Sequence, residues 1–152
     1  MDHGVFAQLK ELLGETLTAV TIAGDRGSIL LQCLDHCDYV MFHDQNCCEE
    51  VVVEDVCGDL DDIVGAEIMQ VSEDVSRPES QEYESLTLTA YTLRTHKGTV
   101  TFRWRGASNG YYGEEVEIAC VGAKWVAKWI DTDGRVDLPV GYRNPDECMY
   151  CL

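Results

Sequence analysis

The sequence predicts an α+β domain that consists mainly of antiparallel β-sheet, with about seven to nine strands, a short N-terminal helix and one short acidic helical turn. Three observations lead to this fold class. Helical spacing of apolar residues is clearest near the N-terminus, later stretches are alternating or β-branched, and short turn signals separate them. Strands joined by short turns favour antiparallel pairing over a parallel sheet.

The first half of the chain begins with an amphipathic helix over residues 4–13. Val5, Leu9 and Leu12 share one helical face, and Gly14 is placed to end the helix. Strands are then expected at 16–22, 28–34, 39–42 and 50–56. Residues 58–65 predict one helical turn, whose acidic side chains lie near its N-terminus and suit the helix dipole.

The second half predicts strands at 66–71, 84–95, 99–105 and 111–120, with an exposed acidic loop at 72–82. Residues 124–130 fit either a strand or a helix, and an irregular tail is expected from about 131 to 152. The length of 152 residues suits one domain that spans residues 1–152.

The charge of the chain is strongly negative. The net charge is −17, and residues 44–84 contain fourteen acids and one base, Arg77. Such a field repels nucleic acid phosphates, so direct DNA or RNA binding is disfavoured. It suits solubility, cation binding, or docking on a basic protein surface.

The chain is expected to act in a reducing, cytoplasmic setting. It has no run of roughly 18 apolar residues that would span a membrane, and its first residues do not resemble an export signal. Five of its eight cysteines lie within residues 33–57, beside His36 and His43. Clustered cysteine and histidine residues in such a setting indicate metal more often than disulfides.

The segment over residues 42–49, Phe-His-Asp-Gln-Asn-Cys-Cys-Glu, carries the most chemistry. Zinc takes imidazole nitrogen and thiolate sulfur, and the turn-like residues 44–46 let His43 approach Cys47 and Cys48. Cys57 is the first choice for a fourth ligand. The alternatives are Cys33, His36, Cys37, a carboxylate or water, and the Cys148–Cys151 pair is a weaker C-x-x-C candidate.

An enzyme is not expected. A cysteine nucleophile at Cys47 or Cys48 lacks a recognisable oxyanion-binding element, and no H-E-x-x-H motif occurs. Glu49 is the candidate general base if the metal were catalytic. A metal-dependent hydrolase therefore stays as an alternative.

Three segments together resemble a phage and prophage family of small proteins of unknown function. They are F-H-D-Q-N-C-C-E at 42–49, G-D-L-D-D at 58–62 and S-N-G-Y-Y at 108–112, within a resemblance that runs roughly from residue 13 to 118. Within that setting the chain is similar to zinc-containing anti-CRISPR inhibitors of type II-A Cas9. The shared positions are His43, Cys47 and Cys48, and less firmly Cys57.

The resemblance implies a phage-encoded protein that binds Cas9 directly in the host cell, blocks DNA targeting and holds a structural zinc ion. A phage accessory module without a defence target that forms homo-oligomers stays as an alternative. Cas9 carries its guide–target heteroduplex in a positively charged channel, which an acidic domain would approach favourably. The acids expected to bind this partner, or another basic nucleic-acid-binding defence protein, are Glu54, Asp55, Asp59, Asp61, Asp62, Glu73 and Asp74.

Overall fold

The computed structural model describes residues 4–45, 47–111 and 113–137, which form two antiparallel sheets and two α-helices. The α-helices are α1 (Val5–Leu9), which a 3-10 turn extends over Lys10–Leu12, and α2 (Ala123–Thr132). The strands are β1 (Leu17–Ile22), β2 (Ser28–Cys33), β3 (Asp38–Phe42), β4 (Glu50–Cys57), β5 (Gln70–Ser76), β6 (Ser85–Thr95), β7 (Gly98–Ser108) and β8 (Glu117–Val121). The α+β prediction is confirmed, with eight strands in the described part of the chain.

The first sheet has the strand order β1-β2-β3-β8, and the second has the order β4-β7-β6-β5. Every pairing between these strands is antiparallel. One face of each sheet contributes to a shared core, in which Leu31 and Met41 of the first sheet join Phe102 and Trp104 of the second. The two sheets therefore pack face to face as a sandwich.

The outer face of the first sheet is covered by α2. Trp125, Val126 and Trp129 of the helix pack against Val40 and Phe42 of β3. These helix positions, at i, i+1 and i+4, form one apolar face. The sequence of residues 124–130 fits either a strand or a helix, and in the structure these residues are helical.

Two predicted strands are misplaced. The strand expected at 66–71 lies at Gln70–Ser76, so the loop expected from residue 72 begins as a strand. It is an edge strand on which Val71 is the buried residue and the others are partly or fully exposed, so its composition resembles a loop. The strand expected at 111–120 is shorter and covers Glu117–Val121.

The remaining local predictions fit better. The acidic helical turn is a 3-10 turn at Leu60–Ile63, and the Asp59 side chain accepts a hydrogen bond from Asp61 N at 3.0 Å. The predicted irregular tail begins too early, because α2 continues to Thr132, and its residues from 138 onward lie outside the described part. No helix in the described ranges is long and apolar enough to cross a membrane.

A β-bulge in β4 sets the pattern of its side chains. The pairing with β7 shifts between Val53 and Asp55, so Val53 pairs with Trp104 and Asp55 with Arg103. Arg26, in the β1–β2 turn, donates from Nη1 to the carbonyl oxygens of Val53 at 3.2 Å and Glu54 at 2.7 Å. The bulge is thus fastened to the other sheet by one guanidinium group.

Candidate functional site

The loop between β3 and β4 is held by a buried contact between His43 and Glu49. The distance between His43 Nε2 and Glu49 Oε2 is 2.8 Å, and the two side chains are 3% and 0% exposed. His43 follows the last residue of β3, and Glu49 precedes the first residue of β4. The contact therefore joins the two ends of the loop, and we name it the His43–Glu49 clasp.

The other ring nitrogen of His43 contacts the segment before β8. His43 Nδ1 lies 2.7 Å from the carbonyl oxygen of Glu115. A carbonyl oxygen can only accept a hydrogen bond, so Nδ1 is the donor in this contact. Both ring nitrogens of His43 are therefore engaged.

The second oxygen of Glu49 orders the loop itself. Glu49 Oε1 accepts a hydrogen bond from the backbone N–H of Cys47 at 2.9 Å. The Gln45 side chain donates from Nε2 to the backbone oxygen of Glu49 at 2.6 Å. Cys47 and Cys48 are both exposed, and their sulfur atoms lie next to each other.

The predicted zinc ligands do not converge in this arrangement. Both nitrogens of His43 are hydrogen-bonded within the protein, to Glu115 and Glu49. Cys57 ends β4, and at about 3.3 Å per residue it lies roughly 20 Å from the start of that strand. As arranged here, these four residues do not surround one point at which a zinc ion would fit.

The alternative ligands lie at the opposite end of the first sheet. Cys33 ends β2 and Cys37 precedes β3, whereas His43 follows the far end of β3. Burial, with the nearby Asp38, Cys37 and Glu15 charges, raises the pKa of Cys33 to about 12, so it stays protonated at neutral pH.

Across residues 4–45, 47–111 and 113–137, no three side chains of histidine, cysteine, aspartate or glutamate cluster as a metal site. Cys148 and Cys151 lie outside the described residues. Zinc therefore stays a prediction, which metal analysis of the purified protein beside H43A and C48A variants tests.

A polar cleft of about 470 Å³ lies beside the segment that accepts the His43 hydrogen bond. Of the described residues that line it, four are glutamates and Arg77 is the basic one; the glutamates are Glu73, Glu114, Glu115 and Glu117. The surface of the cleft is therefore strongly acidic. It extends the negative field that the composition predicted.

Glu114 is the most deeply embedded of these acids, at 8% exposure. Burial alone would raise its pKa, but hydrogen bonds from Ser108, Thr87 and Ser85, together with the charge of Arg77, hold the pKa below its usual value. Thr87 Oγ1 donates to Glu114 Oε1 at 2.7 Å, and Ser108 Oγ donates to Glu114 Oε2.

Gly106 lets the segment that carries Glu114 approach the second sheet. A Cβ atom at Gly106 would lie 2.7 Å from Glu114 Cβ and 2.9 Å from the Glu114 backbone oxygen. Both distances are shorter than real contacts allow, so a larger residue would push Glu114 away from Thr87 and Ser108. The glycine therefore positions the buried carboxylate.

The seven acids predicted to bind a partner are divided between several surfaces. Glu54 and Asp55 of β4 are paired with basic side chains: Arg105 Nε lies 3.9 Å from Glu54 Oε1, and Arg103 Nε lies 3.7 Å from Asp55 Oδ1. Their charge is partly neutralised. They are therefore weaker candidates for partner binding than the sequence suggested.

The other five predicted acids are on two surfaces. Asp59 caps the start of the 3-10 turn, and Asp61 and Asp62 lie within it. In the described part of the chain, none of the three forms an ion pair with a basic side chain. We name these three the turn acids. The remaining two are in β5, where Asp74 is exposed and Glu73 accepts a hydrogen bond from Tyr91 Oη at 2.8 Å in the cleft.

Sequence reasoning missed three residues that hold the candidate site and the β4 bulge in place. Glu49 was considered only as a catalytic base, although its place at the end of the 42–49 motif indicated a role in that loop. Glu114 and Arg26 were not singled out. Their partners are distant in sequence, up to 28 residues, so no local pattern could have indicated them.

Comparison with known proteins gives a family and no activity. No curated protein and no solved structure shows significant similarity to the chain. A family described as a domain of unknown function, DUF7448, matches residues 10–118, which contain the clasp, the turn acids and both sheets except the end of β8. The chain therefore belongs to the DUF7448 family of domains of unknown function.

Proposed function

We propose that the protein is a non-enzymatic, phage-encoded inhibitor that binds a type II-A Cas9, or another basic nucleic-acid-binding defence protein, and blocks DNA targeting. The observation that carries the proposal is the strongly acidic surface, with a net charge of −17 and turn acids that lack ion-pair partners among the described residues. The proposed place of action is the cytoplasm of the host bacterial cell.

The turn acids are the first contact site that we propose. Asp59 and Asp61 are exposed and Asp62 is partly exposed. Lys97 lies beside them, but its Nζ donates to the backbone oxygens of Asp61 and Val64, both at 2.8 Å. The lysine fixes the backbone of the turn, so the three carboxylates are held in one place on the surface.

The charge of the chain supports this class of partner. A Cas9 holds nucleic acid in a positively charged channel, and an acidic domain is steered towards such a surface while free nucleic acid repels it. Electrostatic steering of this kind raises association rates and weakens as salt increases. The acidic cleft beside Glu114 adds negative charge to the same molecule. The resemblance to zinc-containing Cas9 inhibitors supports the same partner.

The test is binding of the purified protein to purified, guide-loaded type II-A Cas9 over a salt series, together with inhibition of DNA cleavage. We expect the triple variant D59N/D61N/D62N to lower the affinity at least about tenfold at low salt and to flatten its salt dependence. The asparagine at position 59 keeps an oxygen that can accept the hydrogen bond from Asp61 N.

A matched control removes the same amount of charge elsewhere. The triple variant E50Q/E54Q/D55N neutralises three acids that already contact Arg105 or Arg103. We expect a smaller loss of affinity than for the turn acids. Equal losses for both triples would show that only total charge matters, and no binding by the wild type would remove Cas9 as the partner.

A further inference from the structure

We propose that the exposed half of β5 binds an extended basic segment of a partner protein, which pairs with β5 as an added strand and directs alternate lysine or arginine side chains into the acidic cleft. The exposed half consists of residues 73–76, which we name the open edge. The proposal does not depend on the turn acids or on the identity of the partner protein.

The open edge offers backbone groups for strand pairing. Among the described strands β5 pairs with β6 alone, so it is an end strand of the second sheet. All four residues of the open edge are exposed, whereas α1 contacts β5 and Val71 is buried. An end strand presents backbone N–H and C=O groups on its outer side, and an extended peptide can pair with them. The open edge is therefore the accessible part of the strand.

Other end strands are covered by the fold itself. Val53 N in β4 donates to the backbone oxygen of Arg26 at 2.8 Å, and Arg26 Nη1 donates to the carbonyl oxygens of Val53 and Glu54. In the first sheet, the end strand β8 has four of its five residues buried. The exposure of residues 73–76 thus differs from the protection given to β4 at its bulge and to β8.

Grooves lie on both faces of the open edge. Glu73 and Val75 line the acidic cleft of about 470 Å³. Asp74 and Ser76 line a second groove of about 390 Å³, as expected when side chains alternate between the two faces of a strand. A strand added beside β5 alternates in the same way, so every second side chain of it would reach the acidic cleft.

The cleft fits a long basic side chain. Val5, Val75 and Val116 contribute apolar atoms to its wall, and the exposed carboxylates of Glu73 and Glu115 lie on the same lining. Lysine and arginine pack an apolar stem along such a surface and place the charged end at a carboxylate. The mixture of valine and glutamate side chains therefore favours a basic residue of a peptide.

A second copy of this chain is a poorer occupant. β5 contains Glu73 and Asp74 and no basic residue, so pairing two copies of the strand would bring like charges together. The net charge of −17 adds a repulsion between whole molecules. The charge of the edge therefore selects a basic segment.

The probe is the synthetic peptide Lys-Thr-Lys-Thr-Lys-Thr-Lys, acetylated and amidated at its ends, added to the isotope-labelled full-length protein. We expect its binding to shift the backbone amide signals of residues 73–76 in NMR and to weaken as salt increases. The peptide in which glutamate replaces every lysine is the control for charge, and it should not bind.

Two methylated versions of the probe test the backbone pairing. In a strand, the N–H groups of the lysines face one edge and those of the threonines face the other. N-methylation of either all the lysines or all the threonines should lower the affinity about tenfold, and methylation of the other set should have a much smaller effect. Equal affinities for the two methylated peptides would overturn the proposed strand pairing.

Variants of the protein test the cleft. E73Q/E115Q should weaken the lysine peptide at least about fivefold, because it removes two exposed charges from the lining. D35N/D131N is the matched control, since it removes two exposed acids outside the cleft, and it should change the affinity less than about twofold.

Three results would overturn the proposal. They are no binding of the lysine peptide to the wild type, equal losses for the two double variants, and peptide-induced shifts centred on the turn acids instead of residues 73–76. Signals of residues 73–76 that depend on protein concentration without peptide would assign the open edge to a second copy of the chain. The peptide comparisons need only the wild type, so they decide the question if E73Q/E115Q fails to fold.

Discussion

The two sheets of this domain differ in how many of their faces are covered. The first sheet is covered on both faces, by the shared core on one side and by α2 on the other. The second sheet shares the core on one face only, and its other face displays residues such as Arg103 and Arg105. Burial is therefore more complete in the first sheet, and the second leaves a surface available for charge.

The same difference is present in the amino-acid pattern. β3 and β8 are runs in which four of five residues are buried, whereas β6 and β7 alternate over most of their length. A continuous apolar run indicates that both faces of a strand are covered, and alternation indicates that one face is. The two runs fit a sheet that is covered on both faces, and α2 provides the third layer.

The largest expected effect comes from uncovering the first sheet. Trp129 of α2 is 1% exposed and donates from Nε1 to Ser28 Oγ at 3.0 Å. We expect W129A to lower the free energy of unfolding by about 3–5 kcal/mol, through the cavity and the lost hydrogen bond. Urea unfolding measures this. I130A is the matched control, because Ile130 is 54% exposed in the same helix and its loss should cost under about 1 kcal/mol.

Similar destabilisation by W129A and I130A would contradict the role assigned to the buried face of α2. If W129A leaves the protein folded but weakened, the first sheet should lose hydrogen-exchange protection before the second does. That order would sharpen the comparison between the covered sheet and the open one.

A smaller effect is expected at the polar end of the second sheet, where Glu114 is buried. Its pKa is lowered in the folded protein, so the carboxylate contributes stability above the ordinary glutamate pKa of about 4.3, and this contribution is lost as the pH falls through the folded value. E114Q should cost about 1–3 kcal/mol at pH 7, and the difference from wild type should shrink below about pH 4.

Thermal unfolding between pH 3 and 8 checks this dependence. E115Q is the control, because Glu115 is adjacent in sequence and its side chain is exposed. A difference between wild type and E114Q that stays constant over the whole pH range would show that the charge of Glu114 is not what stabilises the fold.

The smallest effects are expected on the open face of the second sheet. Arg103 and Asp55 form an ion pair in which both side chains are more than half exposed, so R103A should change the free energy of unfolding by at most about 0.5 kcal/mol. Arg105 is 24% exposed, lies 2.8 Å from Glu50 and covers the Tyr83 ring. R105A should therefore cost more, about 1 kcal/mol. Urea unfolding of the two variants in one buffer compares them, and the reverse order would contradict the assignment.

The fold was predictable to the extent that side-chain patterns are local. The N-terminal helix, the acidic turn and most strands could be placed from periodicity and turn residues. β5 could not, because an edge strand of polar composition has few buried positions to mark it. The division into two sheets, with β4 paired to β7, depends on contacts between residues far apart in sequence.

The candidate site was predictable in its location and less so in its chemistry. The motif at 42–49 covers the loop in which His43 contacts Glu49. Sequence spacing could not show that Glu49 and Glu115 engage the imidazole, since Glu115 is 72 residues away. Nor could it show that Cys57 is separated from that loop by the whole length of β4.

The bulge in β4 has a consequence for how the length of the chain can change. If all residues of the strand alternated strictly, Asp55 would turn into the core and Val56 towards solvent, and the bulge prevents this. Arg26 donates to the carbonyl oxygens of Val53 and Glu54 at the bulge. A descendant that lacks residue 54 would still pair Val53 with Trp104 and Asp55 with Arg103, so this strand can lose one residue here and keep both of its faces.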